Sequence, residues 1–115
     1  MNPLPEASSS FGGRRPLSLD EAVSLREKLR VQKKSLVLTN GCFDLLHAGH
    51  IFLLEKTSSL ADELWVAVNS DFSARSLKGS NRPIQGERER AYTLSCLEFV
   101  DAVLLFHGER LEQEI

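Results

Sequence analysis

Tryptophan occurs once in this chain and cysteine twice. Cys42 and Cys96 have no framework spacing, which excludes a disulfide-stapled scaffold and reads as two reduced thiols. No apolar run approaches the roughly 18 residues that cross a bilayer, and the first residues lack the apolar core of a secretory signal. The expected location is therefore the cytoplasm. An excess of either charge is also missing, since the formal net charge is −2. A general nucleic-acid or membrane-surface binder needs a basic excess, so neither partner is expected and any anion site must be local. The glycine fingerprints of dinucleotide folds and P-loops are absent too, which disfavours a nicotinamide dehydrogenase or a P-loop kinase. What remains is 115 residues, 42% apolar and 26% charged, enough for one globular domain.

The apolar pattern divides the chain. Residues 1–17, with their Pro, Ser, Gly and Arg14-Arg15, read as a flexible lead-in to a domain over 18–115. Ser18 followed by Glu21 is a capping-box pair that predicts a helix start. Leu19, Ala22, Val23, Leu25 and Leu29 give that helix one apolar side. Leu36-Val37-Leu38 is a short continuous apolar run before Gly41, as expected of a strand buried on both faces. A helical pattern follows from about Ala48 to Leu60, with Ile51, Leu54 and Ala61 on its apolar side, and Leu64-Trp65-Val66-Ala67-Val68 is a second buried strand. Strand, helix and strand make a βαβ unit with a right-handed crossover. A short helix over 71–77, a polar loop over 78–86, a helix over 87–98, a strand over 102–106 and the start of another helix over 109–115 complete the reading. The expected fold class is α/β, a Rossmann-like three-layer arrangement with a parallel sheet of order 3-2-1. Trp65 and Cys96 are expected in its core, and Arg88 on a solvated helix face.

Ligands of open parallel sheets bind beyond the carboxyl ends of the strands. Thr39-Asn40-Gly41-Cys42-Phe43-Asp44 and His47-Ala48-Gly49-His50 stand at that place on the first strand. His47 and His50, three apart at a helix start, share one face. Gly49 lets a ligand approach the backbone, and the helix N-terminus adds free N–H groups and the positive end of its dipole. The sum is a compact phosphate site. Cys42, His47 and His50 also make three candidate zinc ligands, but a closed site needs a fourth and no nearby Cys or His supplies it.

These residues carry a resemblance. Gly41-Cys42-Phe43-Asp44 with His47-Ala48-Gly49-His50, followed by Val68-Asn69-Ser70-Asp71, Lys78-Gly79, Arg82-Pro83, Arg90 and Val100-Asp101, resembles the H-x-G-H nucleotidyltransferase superfamily. Within it the chain is most similar to the adenylyltransferase domain that makes ADP-heptose in bacteria. Cytidylyltransferases acting on polyol phosphates usually have threonine at the position of Cys42. The resemblance implies transfer of AMP from ATP, with Mg²⁺, to a sugar 1-phosphate such as D-glycero-D-manno-heptose 1-phosphate, with release of pyrophosphate. It implies catalytic roles for His47, His50 and Lys78. Nucleotide or phosphate contacts are implied for Thr39, Asn40, Gly41, Cys42, Phe43, Asp44, Gly49, Asp71 and Arg90. Cytidylyl transfer to a polyol phosphate and a non-catalytic interaction module are the alternatives. Gln85-Gly86 stands where the family often has Asn-Pro, so that loop is expected to be looser. Relatives continue past the position of Ile115 with two strands and a Lys-Gly-Gly-Asp-like turn. The expectation is therefore that the 115 residues alone have little activity and form a homodimer or otherwise self-associate through the exposed first strand.

Overall fold

The computed structural model describes residues 16–79, 81 and 85–107. Its elements are α1 (Leu19–Val31), β1 (Leu36–Gly41), α2 (Ala48–Ser58), β2 (Glu63–Asn69), α3 (Asp71–Lys78), α4 (Glu87–Ser95) and β3 (Ala102–Phe106). The strands form one parallel sheet in the order β1-β2-β3, the order expected from consecutive right-handed crossovers. Leu38 pairs with Trp65 and Trp65 with Ala102. The helix start expected over 109–115 and the Arg82-Pro83 pair lie outside the described residues.

Alternation along the central strand makes the three layers. Leu64, Val66 and Val68 pack with Leu54 of α2 and Ala91 and Leu94 of α4 on one face. Trp65 and Ala67 pack with Ala22 and Leu29 of α1 on the other. A strand covered on both faces has no polar side, which is why its sequence is a continuous apolar run. Trp65 fits there because its indole N–H finds a partner at the rim, Glu63 Oε1, at 3.0 Å.

Polar clasps set the register at the strand starts. The Asp62 carboxylate accepts from the Ser35 N–H at 2.8 Å and from its hydroxyl at 3.2 Å, while the Asp62 N–H donates to Ser35 Oγ at 2.9 Å. These bonds hold the Asp62 carboxyl below the usual carboxylate range. Asp101 repeats the device, accepting from the Leu64 N–H at 2.8 Å and donating its own N–H to the Leu64 carbonyl at 2.9 Å.

Several boundaries and burials differ from the sequence reading. The lead-in ends sooner, because Leu17 bridges to Leu104 and its N–H donates to the Val103 carbonyl at 2.7 Å. β1 runs on through Thr39 and Asn40 to Gly41, since a ladder continues through polar residues while its partner strand does. Val23 and Ile51 are exposed rather than core, as is Cys96. Helical period identifies a face, but the depth of each position depends on the element opposite. Cys96 caps the end of α4 instead of lying within it.

The capping box is formed in both directions, Glu21 N–H to Ser18 Oγ and Ser18 N–H to Glu21 Oε1, each at 3.1 Å. Ser18→Ala is expected to lower stability by about 1 kcal/mol. Leu64→Ala, at a fully buried side chain, is expected to cost roughly 2–5 kcal/mol. Urea denaturation of both variants checks the ranking.

Candidate active site

The turn between β1 and α2 is built from unusual backbone. Phe43 has φ +50° and Leu45 φ +55°, the left-handed region that bulky residues avoid at a cost of roughly 1–2 kcal/mol each. The turn brings the Phe43 ring back over Gly41, where a Cβ would stand 3.0 Å from it. The same ring meets His50 edge-on, with centroids 6.0 Å apart.

The two histidines form the N-terminal cap of α2. His47 Nδ1 accepts the Gly49 N–H at 3.0 Å, and His50 Nδ1 accepts the His47 N–H at 3.2 Å. The rings stack at 4.0 Å between centroids. With both Nδ1 atoms used as acceptors, the hydrogen of each neutral ring lies on Nε2. The cap thus sets the tautomer, and both rings present an Nε2–H donor. Desolvation, and then the neighbouring His47, lower the pKa of His50 below that of free histidine, which favours the neutral donor near pH 7.

Gly49 serves this cap. A Cβ there would stand 2.8 Å from His47 Cε1, so the small residue makes room for the ring.

A cleft of about 490 Å³ opens at the carboxyl end of β1, lined by Thr39, Asn40, Gly41, Cys42, Phe43, Asp44, His50 and Lys78, with Leu53 and Leu54 as its apolar wall. Eight of the residues singled out from the sequence are therefore gathered here. The sequence places Leu54 on the apolar side of its helix and does not mark Leu53, and only the packing of α2 against the sheet shows that both contribute a wall. His47 joins through its stack on His50. Gly49, Asp71 and Arg90 do not line the cleft.

Arg90 departs most from the expectation of a phosphate contact. Its guanidinium is buried and committed to protein acceptors. Nε donates to the Gln85 carbonyl at 2.9 Å, Nη1 to the carbonyls of Cys42 and Asn69 at 2.7 Å each, and Nη2 to Asp71 Oδ1 at 2.9 Å. Gln85 also holds Asp44, its N–H donating to Asp44 Oδ1 at 2.9 Å. Glu87 is a further contributor, accepting the Asp71 N–H at 2.8 Å. Its place in the first turn of a helix is an ordinary one for an acidic residue, so the sequence carried no signal for this bond. Among the described residues no three His, Cys, Asp or Glu side chains gather to hold a metal.

The cytidylyltransferase-like family model matches residues 38–115. The chain belongs to this family. It is 45% identical over its whole length to the bifunctional protein HldE of Koribacter versatilis, of which it covers 24%, and 50% identical over 97 residues to HldE of Desulfatibacillum aliphaticivorans, of which it covers 20%. The chain thus spans a quarter or less of these curated relatives. Among solved structures, it is similar to a lipopolysaccharide core biosynthesis protein of Thermoplasma volcanium, with a TM-score of 0.63 and 35% identity over 70% of this chain and 65% of that one. The Rossmann-like α/β fold expected from the sequence is thereby established, together with the family. No helix among the described residues is long and apolar enough to cross a membrane.

Two outcomes follow from the cap. The unfolded chain binds a proton at His50 more readily than the folded chain does, so this group leaves stability intact above about pH 6.5 and lowers it as pH falls through the depressed folded value. Urea titrations between pH 7 and 5 check the direction, with His50→Gln removing this group's contribution. Gly49→Ala is expected to drive the His47 ring off the cap, read as a change in its ¹⁵N ring shifts from the Nε2–H pattern.

Proposed function

We propose that this chain carries the transfer site of an adenylyltransferase that joins the AMP moiety of ATP to a sugar 1-phosphate, D-glycero-D-manno-heptose 1-phosphate, and releases pyrophosphate. The observation that carries this reading is the pair of Nε2–H donors at the start of α2, beside a cleft of about 490 Å³ at the carboxyl end of β1. Family membership makes nucleotidyl transfer the reaction, and the similarity to HldE proteins and to a lipopolysaccharide core biosynthesis protein favours a sugar phosphate as acceptor.

In this reading an oxygen of the acceptor phosphate attacks the α-phosphorus of ATP, the bond from that phosphorus to the bridging oxygen breaks, and the electron pair leaves with pyrophosphate. The nucleophile is already ionised, so the chain need not remove a proton. Its task is to hold the two phosphates together and to stabilise the charge that builds on the oxygens around phosphorus. His50, neutral with its hydrogen fixed at Nε2, donates to those oxygens. His47 donates beside it, with the α2 N-terminus adding favourable potential. Lys78, exposed at the end of α3 and on the cleft wall, neutralises phosphate charge. Leu53 and Leu54 supply an apolar side to the cleft. The donor set suits Mg²⁺ carried by the triphosphate, because Asp44 is the cleft's carboxylate and Mg²⁺ commonly takes one or two carboxylates beside substrate phosphates. When bound, the ion neutralises phosphate charge.

Pyrophosphate release from ATP, Mg²⁺ and heptose 1-phosphate, with CTP in parallel, tests the reading in a catalytically complete protein that carries these residues. His50→Ala is expected to lower turnover by ~10²–10³ while weakening ATP binding far less, because the donor acts mainly in the transition state. Lys78→Ala is expected to raise the KM for ATP. Equal turnover by wild type and His50→Ala would remove the assignment, and a preference for CTP would move it to cytidylyl transfer.

A further inference from the structure

We infer that Arg90 is a positioning residue: from beneath the site it holds the β1–α2 turn in the shape that places His50 at the cleft, and it touches no substrate.

An ion loses several kcal/mol of hydration when taken out of water, and an apolar side chain of similar volume in the same place would avoid that loss. Arg90 is 1% exposed and its one carboxylate partner, Asp71, is partly open to solvent. Packing alone therefore gives no reason for arginine here. Its acceptors do. One is the Cys42 carbonyl, immediately before Phe43 with φ +50°. Another is the Gln85 carbonyl, and the N–H of the same residue holds Asp44 Oδ1. The turn is thus tied on both sides of Phe43, at Cys42 directly and at Asp44 through Gln85. The same Nη1 also donates to the Asn69 carbonyl and Nη2 donates to Asp71, which anchors the guanidinium to the end of β2 and the start of α3.

What the ties maintain is the position of one ring. Phe43 in its left-handed conformation lies over Gly41 and meets His50 edge-on, at 68° between the ring planes. If the Cys42 carbonyl is released, Phe43 is free to relax to negative φ, and its ring leaves both Gly41 and His50. Lysine cannot replace arginine here, since an ammonium is a compact group that cannot reach three carbonyls and a carboxylate with the planar fork of a guanidinium.

The kinetic part of the test rests on the transfer reading above; the spectroscopic part does not. In Arg90→Lys, the ring-proton resonances of His50 are expected to lose the ring-current displacement caused by Phe43. Turnover is expected to fall by ~10²-fold, the loss that follows from a misplacement of about 1 Å, with the KM for ATP held within about threefold. Unchanged His50 resonances in a folded Arg90→Lys protein would overturn the inference. So would a raised KM with turnover kept, which is the signature of a direct phosphate ligand. If the variant does not fold, the wild-type chain decides. The Arg90 Nε–H is then expected to be protected from exchange with solvent, and rapid exchange would count against the inference. If a catalytically complete protein that carries these residues releases no pyrophosphate, the transfer reading fails while the ring-current and exchange measurements still judge the positioning role.

Discussion

A guanidinium buried beneath a turn organises this end of the molecule. Arg90 belongs to α4, yet its hydrogen bonds reach the residue after β1, the last residue of β2, the first residue of α3 and the loop before its own helix. Four pieces of chain that meet at the carboxyl edge of the sheet therefore share one donor group. A parallel sheet leaves strand ends and helix starts facing one another across that edge, with backbone carbonyls that need partners. Arginine supplies several in one plane, and the desolvation it suffers is offset only because all of these acceptors converge.

Above this support, the α2 cap combines two tasks that are usually separate. A helix N-terminus needs acceptors for its first N–H groups, and serine or aspartate normally provides them. Here imidazole nitrogens do so, and in accepting they assign the hydrogen of each ring to the opposite nitrogen. Structural satisfaction of the helix and chemical preparation of the donors are thus the same set of bonds. The arrangement demands Gly49, since any side chain there would displace the His47 ring. It also makes the cap sensitive to acid, because a proton on Nδ1 removes the acceptor the helix start requires.

Much of this was legible in the linear chain. Buried strands of a parallel sheet are apolar on both faces, so the runs at Leu36-Val37-Leu38 and Leu64-Trp65-Val66-Ala67-Val68 announced themselves, and right-handed crossovers ordered them. Ser18 and Glu21 marked α1 through a bond that acts over three residues. The pair His47 and His50 was legible for the same reason: contacts within one helical turn follow from spacing. The sheet rule then placed the candidate site at the end of the first strand, and eight of the singled-out residues line one cleft there.

Arg90 marks where local reasoning stopped. A positive residue near a phosphate site reads as a ligand for phosphate, and nothing in its neighbours says that the helix turns it inward. Its direction depends on the Cys42 carbonyl, 48 positions away in the chain. Val23, Ile51 and Cys96 were misjudged for a related reason, since periodicity assigns a residue to a face without saying whether another element covers it. The sequence by itself determined the parallel α/β architecture, the helix start that carries two histidines and the family, because each is expressed in apolar period or in short-range spacing. Only the tertiary structure decided which polar groups reach the cleft and which hold its walls, because that choice depends on bonds between segments distant in sequence.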